Sequence, residues 1–199
     1  MSSFNLADLF ESLADSFPDR PALVVGGETI TFGQLDRRAN RLAQHWMSVG
    51  VGEGDHIGLC LFNGREYVEA MLAAWKVRAR TINVNYRYRT KELAYLFDNA
   101  EMVGVLYEDE LADDVLAALT PGMVHNLRRG EAFEAALAAA PDTRDGFPDR
   151  SEDDLVIIYT GGTTGMPRGV MWRHRDLFFA ALQGGNPGGE PFQTPEELV

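Results

Sequence analysis

From His56 to Ala140 the chain alternates short apolar runs with amphipathic stretches, a pattern that neither a β-sandwich nor a helix bundle accommodates. HIGLCLF, TINVN, MVGVLY and MVHNL read as strands. GREYVEAMLAAWKV, KELAYLFDNA, ELADDVLAAL and EAFEAALAAA carry apolar residues at helical spacing and follow those strands in turn. Strands that alternate with helices of about 10–15 residues make βαβ units, because parallel neighbours need a long crossover. The expected fold class is α/β, a largely parallel sheet flanked by helices.

The flanks fit around this unit. Leu6, Leu9, Phe10, Leu13 and Phe17 share one face of a first helix that Pro18 ends. ALVV and ETITF flank Gly26-Gly27, a hairpin signal. Thr31 and Gln34 have capping-box spacing ahead of a second helix, and Gly50 suits the position just past its end. These elements complete an α/β portion over residues 1–140. Residues 141–154, with proline, glycine and charge but no periodicity, read as a linker. Residues 155–183 read as strand, loop, strand and helix, and 184–199 as an irregular tail.

Within that last unit the run LVIIY leads directly into TGGTTGMPRGV. Glycines let a backbone approach an anion and turn its N–H groups toward it. Threonine hydroxyls add donors or ligate a magnesium ion that phosphates also hold. Thr160, Gly161, Gly162, Thr163, Thr164 and Gly165 are therefore candidate phosphate donors, and Arg168 is the candidate cation. A purely structural surface loop has the same composition, and composition alone does not choose between the two. Neither the Walker spacing G-x-x-x-x-G-K-S/T nor G-x-G-x-x-G is present.

Other features narrow the function classes. A net charge of −12 argues against nucleic acid as a partner, since phosphodiester binding needs clustered Lys and Arg. Cys60, the only cysteine, lies in an apolar run and reads as a small buried hydrophobe, which fits a cytoplasmic setting. No apolar run approaches the roughly 20 residues of a membrane span. His45, His56, His125 and His174 have no metal-ligand spacing, and His174 reads as a surface residue at a helix start. Trp46, Trp75, Phe178 and Phe179 read as packing residues, Arg87 and Arg89 as solvated or ion-paired. Asp113-Asp114 and Asp153-Asp154 are sequence neighbours that point apart, not acid/base pairs.

The loop closely resembles the phosphate-binding loop of the AMP-forming acyl-CoA synthetases of the adenylate-forming superfamily. Their pattern is Y-T-S/G-G-S/T-T-G-x-P-K/R-G, and Tyr159, Thr160, Gly162, Thr163, Thr164, Gly165, Pro167 and Gly169 match it. Gly161 replaces a frequent serine and Arg168 a frequent lysine. The similarity extends upstream through Thr31, Leu35, Ala39, Asn40, Gly50, Val51, Gly54 and Asp55, with Arg78 where the family usually has glycine. GVMWRHRDLFFAALQGGNPGG is similar to synthetases acting on fatty-acyl or steroid side-chain carboxylates.

The resemblance implies ATP, magnesium and coenzyme A as cofactor and co-substrates, a carboxylic acid as substrate, and the Thr160 hydroxyl as a magnesium ligand. A carboxylate would attack the α-phosphorus of ATP, and CoA would then displace AMP. It also implies that the chain is the N-terminal part of the large domain of such an enzyme. The family's adenine motif with its magnesium glutamate, its ribose aspartate and its C-terminal catalytic lysine have no counterpart here. The 199-residue chain is accordingly expected to show no turnover alone, and a non-catalytic nucleotide- or partner-binding module is the alternative.

Overall fold

The structure, a computed structural model, describes residues 3–160 and 166–199. Asn5 opens helix α1 (Leu6–Ser16) by accepting the Ala7 N–H at 2.9 Å. Strands β1 (Pro21–Val25) and β2 (Glu28–Thr31) form a separate antiparallel hairpin across Gly26-Gly27, both at positive φ. Helix α2 (Phe32–Ser48) begins in the expected capping box. The Gln34 N–H donates to Thr31 Oγ1 at 3.2 Å, and the Thr31 N–H donates to Gln34 Oε1 at 2.9 Å.

The alternating region then runs β3 (His56–Cys60), α3 (Arg65–Lys76), β4 (Arg80–Asn83), α4 (Thr90–Asn99), β5 (Gly104–Tyr107) and α5 (Ala112–Ala118). It continues through β6 (Leu127–Arg128), α6 (Glu131–Ala139), β7 (Leu155–Thr160), β8 (Arg168–Arg173) and α7 (His174–Ala181). Among the described residues the main sheet has the order β6-β5-β3-β4-β7-β8. Every pairing is parallel except that of the edge strand β8, which returns antiparallel to β7. The expected α/β class with a largely parallel sheet is what forms.

Alternation along each strand sorts the core into two layers. Ile57, Leu59 and Leu106 face α2, α3 and α6. Cys60, Ile82, Val105, Tyr107, Ile157 and Tyr159 face α4 and α5. Val156 packs with α1, α3 and α7 on the first side, beside Trp75 and Phe178.

The strand read into MVHNL is shorter and later than expected. Only Leu127 and Arg128 pair with β5, while Asn126 turns its amide onto the Met123 carbonyl at 2.6 Å. His125 passes so close to Gly104 that a Cβ there would lie 2.1 Å from its carbonyl oxygen, and its N–H donates to the Val103 carbonyl at 3.1 Å.

Three helices end in the same way. The residue just past the end adopts positive φ, and the next N–H reaches back five residues. Gly50 (φ 93) does this for α2, Arg78 (φ 61) for α3 and Glu101 (φ 48) for α4. Their closing bonds are Val51 N–H to the Trp46 carbonyl (2.9 Å), Ala79 to Ala74 (2.9 Å) and Met102 to Phe97 (3.1 Å). Arg78 thus holds a left-handed conformation that suits glycine, and its guanidinium pairs with Glu53 (2.8 Å) and Asp154 (2.8 Å).

His174 is at a helix start as expected, but it is 1 % exposed and not on the surface. Its Nδ1 accepts the Leu6 N–H at 3.1 Å, its own N–H donates to the Asp154 carbonyl at 2.9 Å, and its ring lies edge-on to Trp75. Burial pulls its pKa down to about 4, against the opposing pull of Asp154 and Asp8.

Arg78→Ala keeps the left-handed strain and loses charged hydrogen bonds, a cost of about 1.5–3 kcal/mol. Arg78→Gly relieves the strain and will be more stable than Arg78→Ala by about 1 kcal/mol in urea unfolding, whereas equal stability would deny the strain a role. For His174 the folded pKa lies below the unfolded one, so its contribution is complete above about pH 6.5 and is lost as pH falls toward 4. His45 is depressed too, by burial and then by His125, so the readout is a difference between proteins. His174→Gln will flatten the stability–pH slope between pH 6.5 and 4, and an unchanged slope would exclude His174 as its source.

Candidate phosphate site at the mouth of β7 and β8

In open α/β sheets ligands gather at the carboxyl ends of the strands. At that edge β4 and β7 are neighbours, and β7 turns back into β8. Tyr159 pairs with Gly169, and Thr160 with Arg168, which is the last register pair before the connecting segment. Thr160 and Arg168 are therefore side by side at the mouth, both exposed. Gly161, Gly162, Thr163, Thr164 and Gly165 lie outside the described residues. Met166 is exposed and Pro167 is buried where the chain rejoins β8.

The two arginines of β8 contrast. Arg173, at the strand's far end, is held by Asp153 (3.1 Å) and Asp176 (2.7 Å). Arg168 makes no ion pair or side-chain hydrogen bond among the described residues, so its charge is not already satisfied by a carboxylate there. An unneutralised guanidinium beside an exposed hydroxyl suits an anion.

Tyr159, immediately before Thr160, is fixed at three points. The Asn83 carboxamide accepts the Tyr159 N–H at 2.9 Å and donates to its carbonyl at 3.4 Å. The Tyr159 hydroxyl donates to Asn99 Oδ1 at 2.9 Å. Its ring lies against Gly169, where an added Cβ would come within 2.8 Å of it. Backbone pairing between β4 and β7 is at Ile82 and Ile157, so beyond that point the Asn83 side chain takes over the bridging. Nothing in the local sequence marks Asn99 for this contact, and Asn83 shows only as a polar residue in a strand. The available signal was an asparagine inside the apolar run TINVN.

The discounted residues have structural roles. His56 donates from Nδ1 to the Ala100 carbonyl (2.5 Å), leaving Nε2 to accept from Arg80 (3.1 Å). No group of three or more His, Cys, Asp or Glu side chains among the described residues is placed to hold a metal. Burial, reinforced by Glu108, pushes the Cys60 thiol up to about 12, so it is no nucleophile. Arg89 pairs with Asp114 at 3.1 Å, and Arg87 stacks on Tyr86. Asp154 turns to Arg78 and Asp153 to Arg173, so these two aspartates form no dyad. Glu108, buried at the end of β5, accepts the Phe62 N–H at 2.9 Å and pairs with Arg129 at 3.0 Å, which steadies the exit of β3.

No helix among the described residues is long and apolar enough to cross a membrane. The chain is 45% identical over 190 residues to the 3-oxocholest-4-en-26-oate–CoA ligase of Rhodococcus rhodochrous, covering 88% of this chain and 34% of that protein. It is 43% identical over 208 residues to a medium/long-chain-fatty-acid–CoA/3-oxocholest-4-en-26-oate–CoA ligase of Mycobacterium tuberculosis, covering 98% and 37%. Among solved structures, an anthranilate CoA ligase shares the fold with a TM-score of 0.84 at 23% identity, over 94% of this chain and 38% of that one. A long-chain-fatty-acid–CoA ligase from Archaeoglobus fulgidus matches with a TM-score of 0.79 at 27% identity, over 90% and 38%. The chain therefore spans between a third and two fifths of the length of these relatives. A family model described as AMP-binding enzyme matches residues 10–194, and the chain belongs to that family.

Proposed function

We propose that this chain is the N-terminal, phosphate-holding part of an ATP-dependent ligase that joins a fatty-acyl or steroid-type carboxylate to coenzyme A. The observation that carries the reading is the Thr160–Arg168 pair, which sets a hydroxyl and a guanidinium that no described carboxylate neutralises at the carboxyl edge of a parallel sheet. A segment of three glycines and two threonines joins them. The names of the two ligase relatives suggest the acid and the thiol.

In the proposed reaction a substrate carboxylate oxygen bonds to the α-phosphorus of ATP as the bond to the bridging oxygen breaks, releasing pyrophosphate. The CoA sulfur then attacks the acyl carbon and AMP leaves. This chain's residues act on the leaving phosphates. Thr160, Gly161, Gly162, Thr163, Thr164 and Gly165 provide N–H and hydroxyl donors, and Arg168 offsets the charge that builds on the β- and γ-phosphates. Magnesium, when bound with the nucleotide, neutralises the same oxygens. The exposed Thr160 hydroxyl fits it as a single ligand, because magnesium usually keeps water and phosphate oxygens as its other ligands.

In this reading residues 1–140 form the α/β scaffold, 141–154 connect it, 155–183 carry the site and 184–199 lead away from it. The setting is cytoplasmic. The property of this chain that the reading exposes to measurement is nucleotide binding.

Calorimetric titration of the 199-residue chain with Mg·ATP tests the reading. Gly165→Val will weaken binding by about 1.5–3 kcal/mol, the usual cost of losing a hydrogen bond to a charged group. Arg168→Ala will weaken it less. A folded Gly165→Val chain that binds like the parent, or a parent that does not bind, would overturn the phosphate-site assignment.

A further inference from the structure

Resting on the phosphate-site reading, we propose that Asn83 and Asn99 are positioning residues for that site, acting through Tyr159. Neither touches the proposed ligand. They act because the direction in which Thr160 and Arg168 leave the sheet depends on how Tyr159 is held.

The geometry of the strands creates the need. A parallel ladder would hold the end of β7 by backbone bonds from β4, but the register pair between them is at Ile82 and Ile157. Two residues later Tyr159 would present its N–H and carbonyl to β4 without a backbone partner. The Asn83 carboxamide supplies both complementary groups, at 2.9 and 3.4 Å. A carboxamide is well suited to this, since it carries a donor and an acceptor side by side, as a peptide unit does. Aspartate would repel the carbonyl, and leucine would leave both groups unpaired.

Asn99 fixes the other end of the same side chain. Its Oδ1 accepts the Tyr159 hydroxyl at 2.9 Å from the last residue of α4. Gly169 leaves room for the ring against β8, since a Cβ there would lie 2.8 Å from it. Tyr159 is thus held from β4, α4 and β8 at once, and it is 9 % exposed. The next residue pair outward is Thr160 with Arg168. Rotation of Tyr159 about the strand axis would carry both outward residues with it, so an error at the clamp becomes a displacement at the mouth.

The test uses the 199-residue chain, Mg·ATP as the probe, and hydrogen exchange at the Tyr159 and Thr160 amides. Asn83→Ala will weaken Mg·ATP binding about tenfold and speed exchange at both amides at a temperature where the variant is fully folded. Asn83→Asp, which keeps an acceptor for the N–H but not the donor, will not restore affinity. Asn99→Ala and Tyr159→Phe remove the same bond from opposite sides, so each will weaken binding about threefold and the double variant no further. Tyr159→Phe deletes one hydroxyl, which keeps the test open if Asn83→Ala does not fold. Lower melting temperatures with unchanged affinity would show that the asparagines only stabilise the fold, and would overturn the proposal. Additive losses for Asn99→Ala and Tyr159→Phe would overturn it too. A parent chain that does not bind Mg·ATP sinks the phosphate-site reading itself, a result distinct from variants that bind as the parent does.

Discussion

The position of β7 depends on a buried group of charges around Lys76. Lys76 is 0 % exposed, and its ammonium contacts Glu11 on α1 and, at 2.8 Å, Asp36 on α2. Arg144 reaches the other oxygen of Asp36 at 2.8 Å and also binds Asp15 at 2.9 Å. Arg150 contacts Asp8 and Glu11. Burial works against the ionised form of Asp36, yet the neighbouring Lys76 and Arg144 charges outweigh it and hold its carboxyl below the usual range. Buried ion groups of this kind are weak sources of stability, because desolvation consumes much of the attraction. What they impose is specificity, since each charge left alone is costly and few other arrangements satisfy all of them.

That specificity falls on the stretch between α6 and β7. β6 forms one edge of the sheet, while β7 lies beyond β4 on the other side. The chain from 140 to 155 must therefore cross the width of the sheet without a helix or strand of its own. Arg144 and Arg150 tie it to α1 and α2, and Asn40 and Arg41 bind the Asp142 and Ala140 carbonyls at 3.1 and 2.8 Å. Asp154 then meets Arg78, Asn5 and the Ser151 N–H just before β7 begins. The hairpin that carries Thr160 and Arg168 enters the sheet from this fixed start, and Asn83 and Asn99 hold its other end.

This division explains what the sequence made legible. Elements set by local rules were readable: the capping box at Thr31 and Gln34, the glycine at 50 that ends α2, and the strand–helix alternation. The parallel sheet followed from that alternation. Contacts between residues far apart in sequence were not readable. His174 looks like a polar residue at a helix start, and only the arrival of Leu6 and Trp75 buries it. Asn83 looks like a minor blemish in a strand until Tyr159 is placed beside it. Arg78 was visible as a departure from glycine, but its positive φ and its two acidic partners come from tertiary structure. The segment from 141 to 154 carries charge without period, and the carboxylates that hold its Arg144 and Arg150 lie more than a hundred residues away.

The proposed ligand raises a physical difficulty, because a chain of net charge −12 repels a polyanion at long range. That field is screened within roughly 8 Å at physiological ionic strength, so it sets encounter rates more than affinity. Affinity has to come from donors at contact distance, and most positive charge in this protein is already used internally. Arg38, Arg78, Arg129, Arg144, Arg150 and Arg173 each face carboxylates. Along β8 the same logic separates two residues of one type: Arg173 is neutralised at the closed end and Arg168 is not neutralised by any described carboxylate at the open one. The proposed phosphate site in such an acidic chain is therefore a matter of local placement, to which the buried charges around Lys76 would contribute indirectly, by fixing where the hairpin starts.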